Sequence, residues 1–216
     1  MYYGPDIIKE TGIKVDGVDP DRLSIILNIP LALVNAIGST VAVFVIDKMG
    51  RRFIMLRTLP FTLIACLLVA LSMYLTAFTS GDASIKTGNY LAMIALIMYL
   101  AFFSIGMSST VWSVNTEIYP IHLIGSGSSL ATATNWFSNF IVSTFFMSIM
   151  KNSDVGKVVA FALLGFFCLL AILFIYYLVP ETGGRPINEN IKNILGPKKY
   201  KALIDDDGNQ TASQED

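Results

Sequence analysis

Long neutral apolar runs alternate with short charged clusters along this chain. Five runs stand out, at about 23–46, 56–77, 90–114, 128–150 and 158–179. A helix rising about 1.5 Å per residue needs about 20 apolar residues to cross a hydrocarbon core of about 30 Å, and each run meets that length. Backbone amides in lipid must pair within their own segment, so each run is predicted to be a complete transmembrane helix. Residues 194–216 are predicted to be a disordered cytoplasmic tail, since they end in Asp205-Asp206-Asp207 and a Gly/Asn/Gln/Ser stretch.

Two of the runs carry polar stripes. The first places Asn28, Ala32, Asn35, Ser39 and Ala42 on one helix face, and the fourth does the same with Ser128, Thr132, Asn135, Asn139 and Ser143. A carboxamide both donates and accepts hydrogen bonds, and it is far cheaper to bury in a membrane than a charge. Two amide-bearing faces with a tryptophan, Trp112 or Trp136, would suit a neutral polyol, the indole covering its C–H face. The same residue types also pack helices against each other, so both readings stand on the stripes alone. Gly38, Gly106 and Gly165 are read as close-packing positions.

Composition narrows the class. Charged residues are 14% of the 216 and hydrophobic residues 54%, too lopsided for a soluble domain, which carries about 25% charged residues. The net charge of −1 gives no reason to expect nucleic acid. Cys66 and Cys168 fall inside separate apolar runs, and the sequence offers no nucleophile–base pair, metal-ligand cluster or phosphate loop, so neither an enzyme nor a cofactor is expected. His122, the single histidine, is read as a headgroup-level residue at a span end.

Basic residues set orientation. Lys48, Arg51, Arg52 and Arg57 crowd the first turn, and Arg185, Lys192, Lys198, Lys199 and Lys201 follow the last run. Five spans put both groups on one side, predicted to be cytoplasmic, with the N-terminal segment outside. Asp47, Arg51, Arg52, Glu117 and Glu181 lie at the cytoplasmic helix ends. Carboxylate–guanidinium pairs there would latch one conformation; ordinary interfacial anchoring by snorkelling charges explains them equally well.

Four segments carry a resemblance. Asp47-Lys48-Met49-Gly50-Arg51-Arg52 resembles the D-x-x-G-R-R loop of sugar porters in the major facilitator superfamily. Asn115-Thr116-Glu117-Ile118-Tyr119-Pro120 resembles their N-S-E-I-Y-P segment, Asn135-Trp136-Phe137-Ser138-Asn139 their N-W-x-x-N element, and Pro180-Glu181-Thr182-Gly183-Gly184 their P-E-T-K-G signature. The run from Phe102 to Pro120, with Ser104 where many hexose carriers place a glutamate, is most similar to proton-coupled myo-inositol transporters.

The resemblance implies an all-α membrane fold: the C-terminal six-helix half of a twelve-helix carrier, with residues 1–22 holding the outer end of a truncated first helix and an extracellular loop, and 23–193 a five-helix bundle. It implies that Asn35, Trp112, Asn135 and Asn139 bind substrate, that Tyr2 and Tyr3 close an outer gate, and that Asp47, Arg51, Arg52, Glu117 and Glu181 form an inner charge network. The implied activity is secondary active transport of a neutral sugar or polyol, myo-inositol foremost, coupled to protons, in the plasma membrane or an internal membrane such as a vacuole. The alternative is a truncated, non-transporting protein that associates with a full-length relative.

The sequence also departs from the pattern. The prolines that break the corresponding tenth helix are replaced by Ile105, Ser109 and Val111, which predicts a straighter third span. The R-x-R-G that follows the N-S-E-I-Y-P segment reads His122-Leu123-Ile124-Gly125 here, which would leave Glu117 without its usual arginine. Gly183 replaces the signature lysine.

Overall fold

The computed structural model describes residues 5, 7, 8, 19–79, 81–184 and 186–201, with backbone alone at 20, 47 and 82–84. Seven α-helices are described: α1 Pro20–Met49, α2 Arg51–Phe78, α3 Asp82–Phe103, α4 Thr110–Glu117, α5 Ile124–Asn152, α6 Asp154–Leu178 and α7 Ile187–Leu195. Among the described residues the regular structure is entirely helical.

Local chemistry fixes where the helices begin and end. Asp19 caps α1, its carboxylate accepting the N–H of Asp21 at 3.3 Å, and Pro20 occupies the first turn, where a missing N–H costs nothing. Gly50, at φ +85°, ends α1 and admits the chain directly into α2. A side chain there would be strained and would meet the Glu181 carboxylate. Ser153 separates α5 from α6 and caps the latter, its hydroxyl accepting the Gly156 N–H at 3.0 Å. Asp154 adds a negative charge to the first turn of α6 and pairs with Lys157 at 3.0 Å.

α2 is the central helix, packed along α3 on one side and α6 on the other. α1 lies against α3 and the segment that follows it, while α5 leans on α6 and α4. The larger apolar cluster joins Leu31 of α1, Val69 and Met73 of α2, Leu96 and Leu100 of α3, and Phe161 of α6. A smaller one at the opposite end joins Met55 and Leu59 to Ile175. Phe44, Phe140, Tyr177 and Leu178 lie exposed on the bundle's surface, an arrangement suited to lipid or further protein but not to water.

Among the described residues, four helical stretches are long and apolar enough to cross a membrane: Asp21–Ile46, Arg51–Phe78, Ile85–Glu117 and Asp154–Leu178. They coincide with the first, second, third and fifth predicted spans. The fourth is α5, whose 29 residues give it ample length, about 43 Å at 1.5 Å per residue. The serines, threonines and asparagines of its stripe dilute its apolar character.

The third span carries an irregular segment without any proline: a π-helical stretch, Ser104–Ser108, separates α3 from α4, with Ser109 between. The Ser104 hydroxyl donates to the Ala101 carbonyl at 3.1 Å and that of Ser113 to Ser109 at 3.3 Å, so hydroxyls supply local bonds where the helical register breaks. A break can thus form without proline. The tail expected to be disordered from residue 194 is helical as far as it is described: α7 runs to Leu195, and residues 197–201 are helical too. Residues 202–216 lie outside the described set, as does most of 1–22.

Close packing sets the path of this broken span. A Cβ on Gly38 would collide with the Ser104 side chain, and one on Gly106 with the Thr58 side chain. α1 and α2 therefore approach the π segment at the two glycines read as packing positions. Gly165 is buried in ordinary van der Waals contact, Leu67 and Leu63 lying 3.4 and 3.6 Å from where its Cβ would be.

Candidate functional site

A cavity of about 340 Å³ opens among α1, α2, α3, α5 and α6. Its polar lining comes from Asn28 and Asn35 of α1, Tyr99 of α3, and Asn139 and Ser143 of α5. The two polar stripes thus contribute to one space. Most of the rest is apolar, with Phe103, Phe146 and Phe161 among the walls. A concave, mostly apolar site with a few polar groups is the usual form of a small-molecule site.

The four residues expected to bind substrate separate here. Asn35 and Asn139 line the cavity. Asn135, one turn from Asn139, is exposed on α5 and not among the lining residues. Trp112, on α4, is 43% exposed and also outside the lining. The aromatic side chains of the lining include instead Tyr99 and Phe103, stacked on each other at 5.6 Å between centroids. Their spacing of four residues was visible as a helical pair, but nothing in the sequence aimed that pair at the amides. Tyr2 and Tyr3 lie outside the described residues.

At the opposite end of α2 the charged residues gather. The Arg51 guanidinium grips Glu117 through Nη2 at 3.0 Å and Nε at 3.2 Å, both to Oε1. It also donates to the Ile46 carbonyl at 3.2 Å. The Glu181 carboxylate turns to backbone: Oε1 accepts the N–H of Arg51 at 2.8 Å and of Gly183 at 3.0 Å, and Oε2 accepts that of Phe53 at 3.2 Å. One acid thus holds the guanidinium of Arg51, while another caps the helix that Arg51 starts.

This assembly ties the α1–α2 turn to the end of α4 and to the segment after α6. Glu117, which lacks the usual arginine after Pro120, has Arg51 instead, and its second oxygen is buried with no hydrogen-bond partner among the described residues. Arg52 stands apart, donating through Nη2 to the Tyr176 carbonyl at the end of α6. The side chain of Asp47 is outside the described set. Gly183 fits where a lysine was expected because its Cα side faces Gly50, whose Cα lies 2.9 Å from where a Cβ would be. Beyond it, the buried Asn190 of α7 donates to the Thr182 carbonyl at 3.2 Å and anchors the short helix to this end.

Comparison with known proteins agrees with this architecture. The profile of the family described as "Sugar (and other) transporter" matches residues 1–193. "Sugar transporter ERD6-like 8" of Arabidopsis thaliana is 37% identical over 173 residues, covering 80% of this chain and 35% of that relative. "Myo-inositol transporter 1" of Cryptococcus neoformans is 28% identical over 195 residues, covering 88% and 32%. Among solved structures, the major facilitator superfamily proton:xylose symporter XylE bound to 6-bromo-6-deoxy-D-glucose superimposes with a TM-score of 0.72 at 23% identity, over 89% of this chain and 38% of that one. The chain therefore spans about a third of the length of the relatives it matches.

Proposed function

Because the chain belongs to the sugar porter family of the major facilitator superfamily and is a multi-pass integral membrane protein, we propose that it forms the solute-binding half of a secondary active carrier for a neutral sugar or polyol. The observation that carries this reading is the cavity lined by Asn35 and Asn139 from two different stripes, with aromatic rings beside them. Each amide offers both a donor and an acceptor to a hydroxyl, and the rings shield the solute's C–H face. Asn135 and Trp112 join the site as the halves move, since they lie on the elements that border the cavity, α5 and the broken third span.

The carrier works by alternating access, two halves rocking about a midplane site. The Arg51–Glu117 pair and the Glu181 cap hold the charged end together in one state, and their release permits the other. The likeness to a myo-inositol transporter supports a cyclitol as the foremost solute, and the likeness to "D-xylose-proton symporter-like 2" of Arabidopsis thaliana, 32% identical over 189 residues, supports proton coupling.

The test is uptake by the gene product reconstituted in proteoliposomes. Saturable flux of labelled myo-inositol, increased by an inward proton gradient, is the expected result. Absence of saturable flux for myo-inositol, D-xylose and D-glucose alike would overturn the carrier reading, and flux indifferent to the gradient would overturn the coupling.

A further inference from the structure

A second cavity, of about 850 Å³, opens at the charged end of the bundle and shares no lining residue with the first. Met55 of α2, Met107 and Val111 of the third span, and Phe174 and Leu178 of α6 give it apolar walls. Arg52 enters the lining together with Asn115 of α4 and Asn193 of α7. Val111, Phe174, Tyr177 and Leu178 are exposed, so the cavity lies open to the outer surface of the bundle, where acyl chains surround a multi-pass membrane protein.

Arg52 brings a charge to this cavity that the described residues do not match. Its guanidinium donates through Nη2 to the Tyr176 carbonyl, while Nε is buried without a partner and Nη1 bonds no protein group among the described residues. Glu117 is held by Arg51, and Glu181 accepts backbone N–H groups, so neither acid pairs with Arg52. A cation bordering apolar walls at a membrane's edge calls for an anion that carries its own apolar body. A soluble anion would leave the walls wet, and an apolar partner would leave the charge unmatched. Tyr176 and Tyr177 close α6 with exposed, edge-to-face rings 5.0 Å apart between centroids, as aromatic residues at headgroup level do. Residues 187–201 add Lys192, Lys198, Lys199 and Lys201, all exposed, against one acid, Glu189. That excess of basic charge attracts anionic headgroups.

We infer that this cavity binds an anionic phospholipid. Its phosphate pairs with Arg52, the carboxamides of Asn115 and Asn193 serve the headgroup's oxygens, and its acyl chains lie over Met55, Val111 and Phe174. The lipid joins α2, α4, α6 and α7 and steadies the end of the bundle where Arg51 meets Glu117. The site depends on residence in a membrane and not on the carrier reading.

Thermal unfolding of the full gene product in detergent tests this, with added dioleoyl phosphatidylglycerol, dioleoyl phosphatidylcholine or sn-glycerol 3-phosphate. Phosphatidylglycerol is expected to raise the unfolding midpoint saturably. Phosphatidylcholine, whose choline offsets the phosphate charge, and glycerol phosphate, which lacks acyl chains, should each need at least about tenfold more. Arg52→Met keeps an apolar stem but removes the charge, and should raise the phosphatidylglycerol concentration for half the shift by about tenfold, the size of one charged hydrogen bond. Arg52→Lys keeps the charge and should lose less. Asn115→Asp, nearly isosteric, sets a negative charge in the same lining and serves as a second variant should the methionine form not fold; it should weaken phosphatidylglycerol by about fivefold and leave phosphatidylcholine unchanged. No response to phosphatidylglycerol, an equal response to phosphatidylcholine or to glycerol phosphate, or an undiminished response in Arg52→Met or Asn115→Asp overturns the site.

Discussion

Glu181 accepts the backbone N–H of Arg51 at 2.8 Å across a sequence separation of 130 residues. With Phe53 bonded to its other oxygen, the carboxylate acts as an N-cap borrowed from the far end of the bundle. Helix α2 has no side-chain cap of its own, because Gly50 precedes it. An acid at a helix N-terminus also meets the positive end of the helix dipole. The contact therefore joins α2 to the segment after α6 more firmly than a surface ion pair would.

Replacing Glu181 should accordingly destabilise this state. Glu181→Ala is expected to cost about 1–3 kcal/mol, since two orphan N–H groups of α2 lose their acceptor. Glu181→Gln keeps one acceptor oxygen and should lose about half as much. Thermal unfolding of the detergent-solubilised protein measures both. Equal midpoints for wild type and Glu181→Ala would show that the cap contributes nothing.

The Arg51–Glu117 pair should behave as a coupled unit. Side-chain exposures of 13% and 21% leave it little screened, and Arg51→Ala strands the partly buried Glu117 carboxylate, whose second oxygen already has no hydrogen-bond partner among the described residues. A double-mutant cycle is expected to give a coupling of about 1–3 kcal/mol, with the double variant less damaged than the sum of the singles. Arg51→Lys should not rescue, because an ammonium cannot reach Glu117 and the Ile46 carbonyl with the fork that Arg51 uses. Additive losses in the cycle would separate the two residues.

The spans were legible because bilayer thickness constrains the length of every helix and leaves apolar runs in the sequence. Arg51, Glu117 and Glu181 were legible as neighbours because alternating spans bring those three helix ends to one side. Which acid would hold the guanidinium and which would cap a helix was not, since that depends on Gly50 letting the chain turn directly under Glu181. The break at Ser104–Ser108 was hidden because serine hydroxyls can support an irregular turn without leaving a proline as a marker. Asn35 and Asn139 were readable from their stripes. Trp112 was proposed from the stripes, as an alternative to Trp136, and from the resemblance; it lies on α4, outside the lining of this cavity. Tyr99 and Phe103 could not be singled out, because aromatic residues at helical spacing occur on every span.

Adding a methyl to the packing glycines should tell two kinds of contact apart. Gly38→Ala meets the Ser104 hydroxyl, so Ser104→Ala should recover much of a loss of about 1–3 kcal/mol. Gly106→Ala meets the Thr58 hydroxyl and also its Cβ, at 2.7 Å. Removing the hydroxyl with Thr58→Ala leaves that Cβ in place, so rescue there should be small. Thermal midpoints of the four variants and the two pairs decide it, and equal rescue at both sites would contradict the packing described.

The final prediction concerns two asparagines one turn apart on α5. Asn139 lines the cavity, whereas Asn135 is exposed outside it. On the proposed carrier reading, a solute in this cavity would bond to Asn35 and Asn139 directly, each worth about one hydrogen bond. Asn35→Ala and Asn139→Ala should therefore each weaken equilibrium binding by about fivefold to tenfold, and Asn135→Ala by less than about threefold. Asn135 would then matter chiefly for turnover, when α5 moves, so its alanine variant should lower the maximal uptake rate more than it lowers affinity. Binding to the purified protein, measured beside proteoliposome flux, separates the two effects. An affinity loss at Asn135 as large as that at Asn139 would mean that the loaded state turns α5 and brings both amides onto the solute.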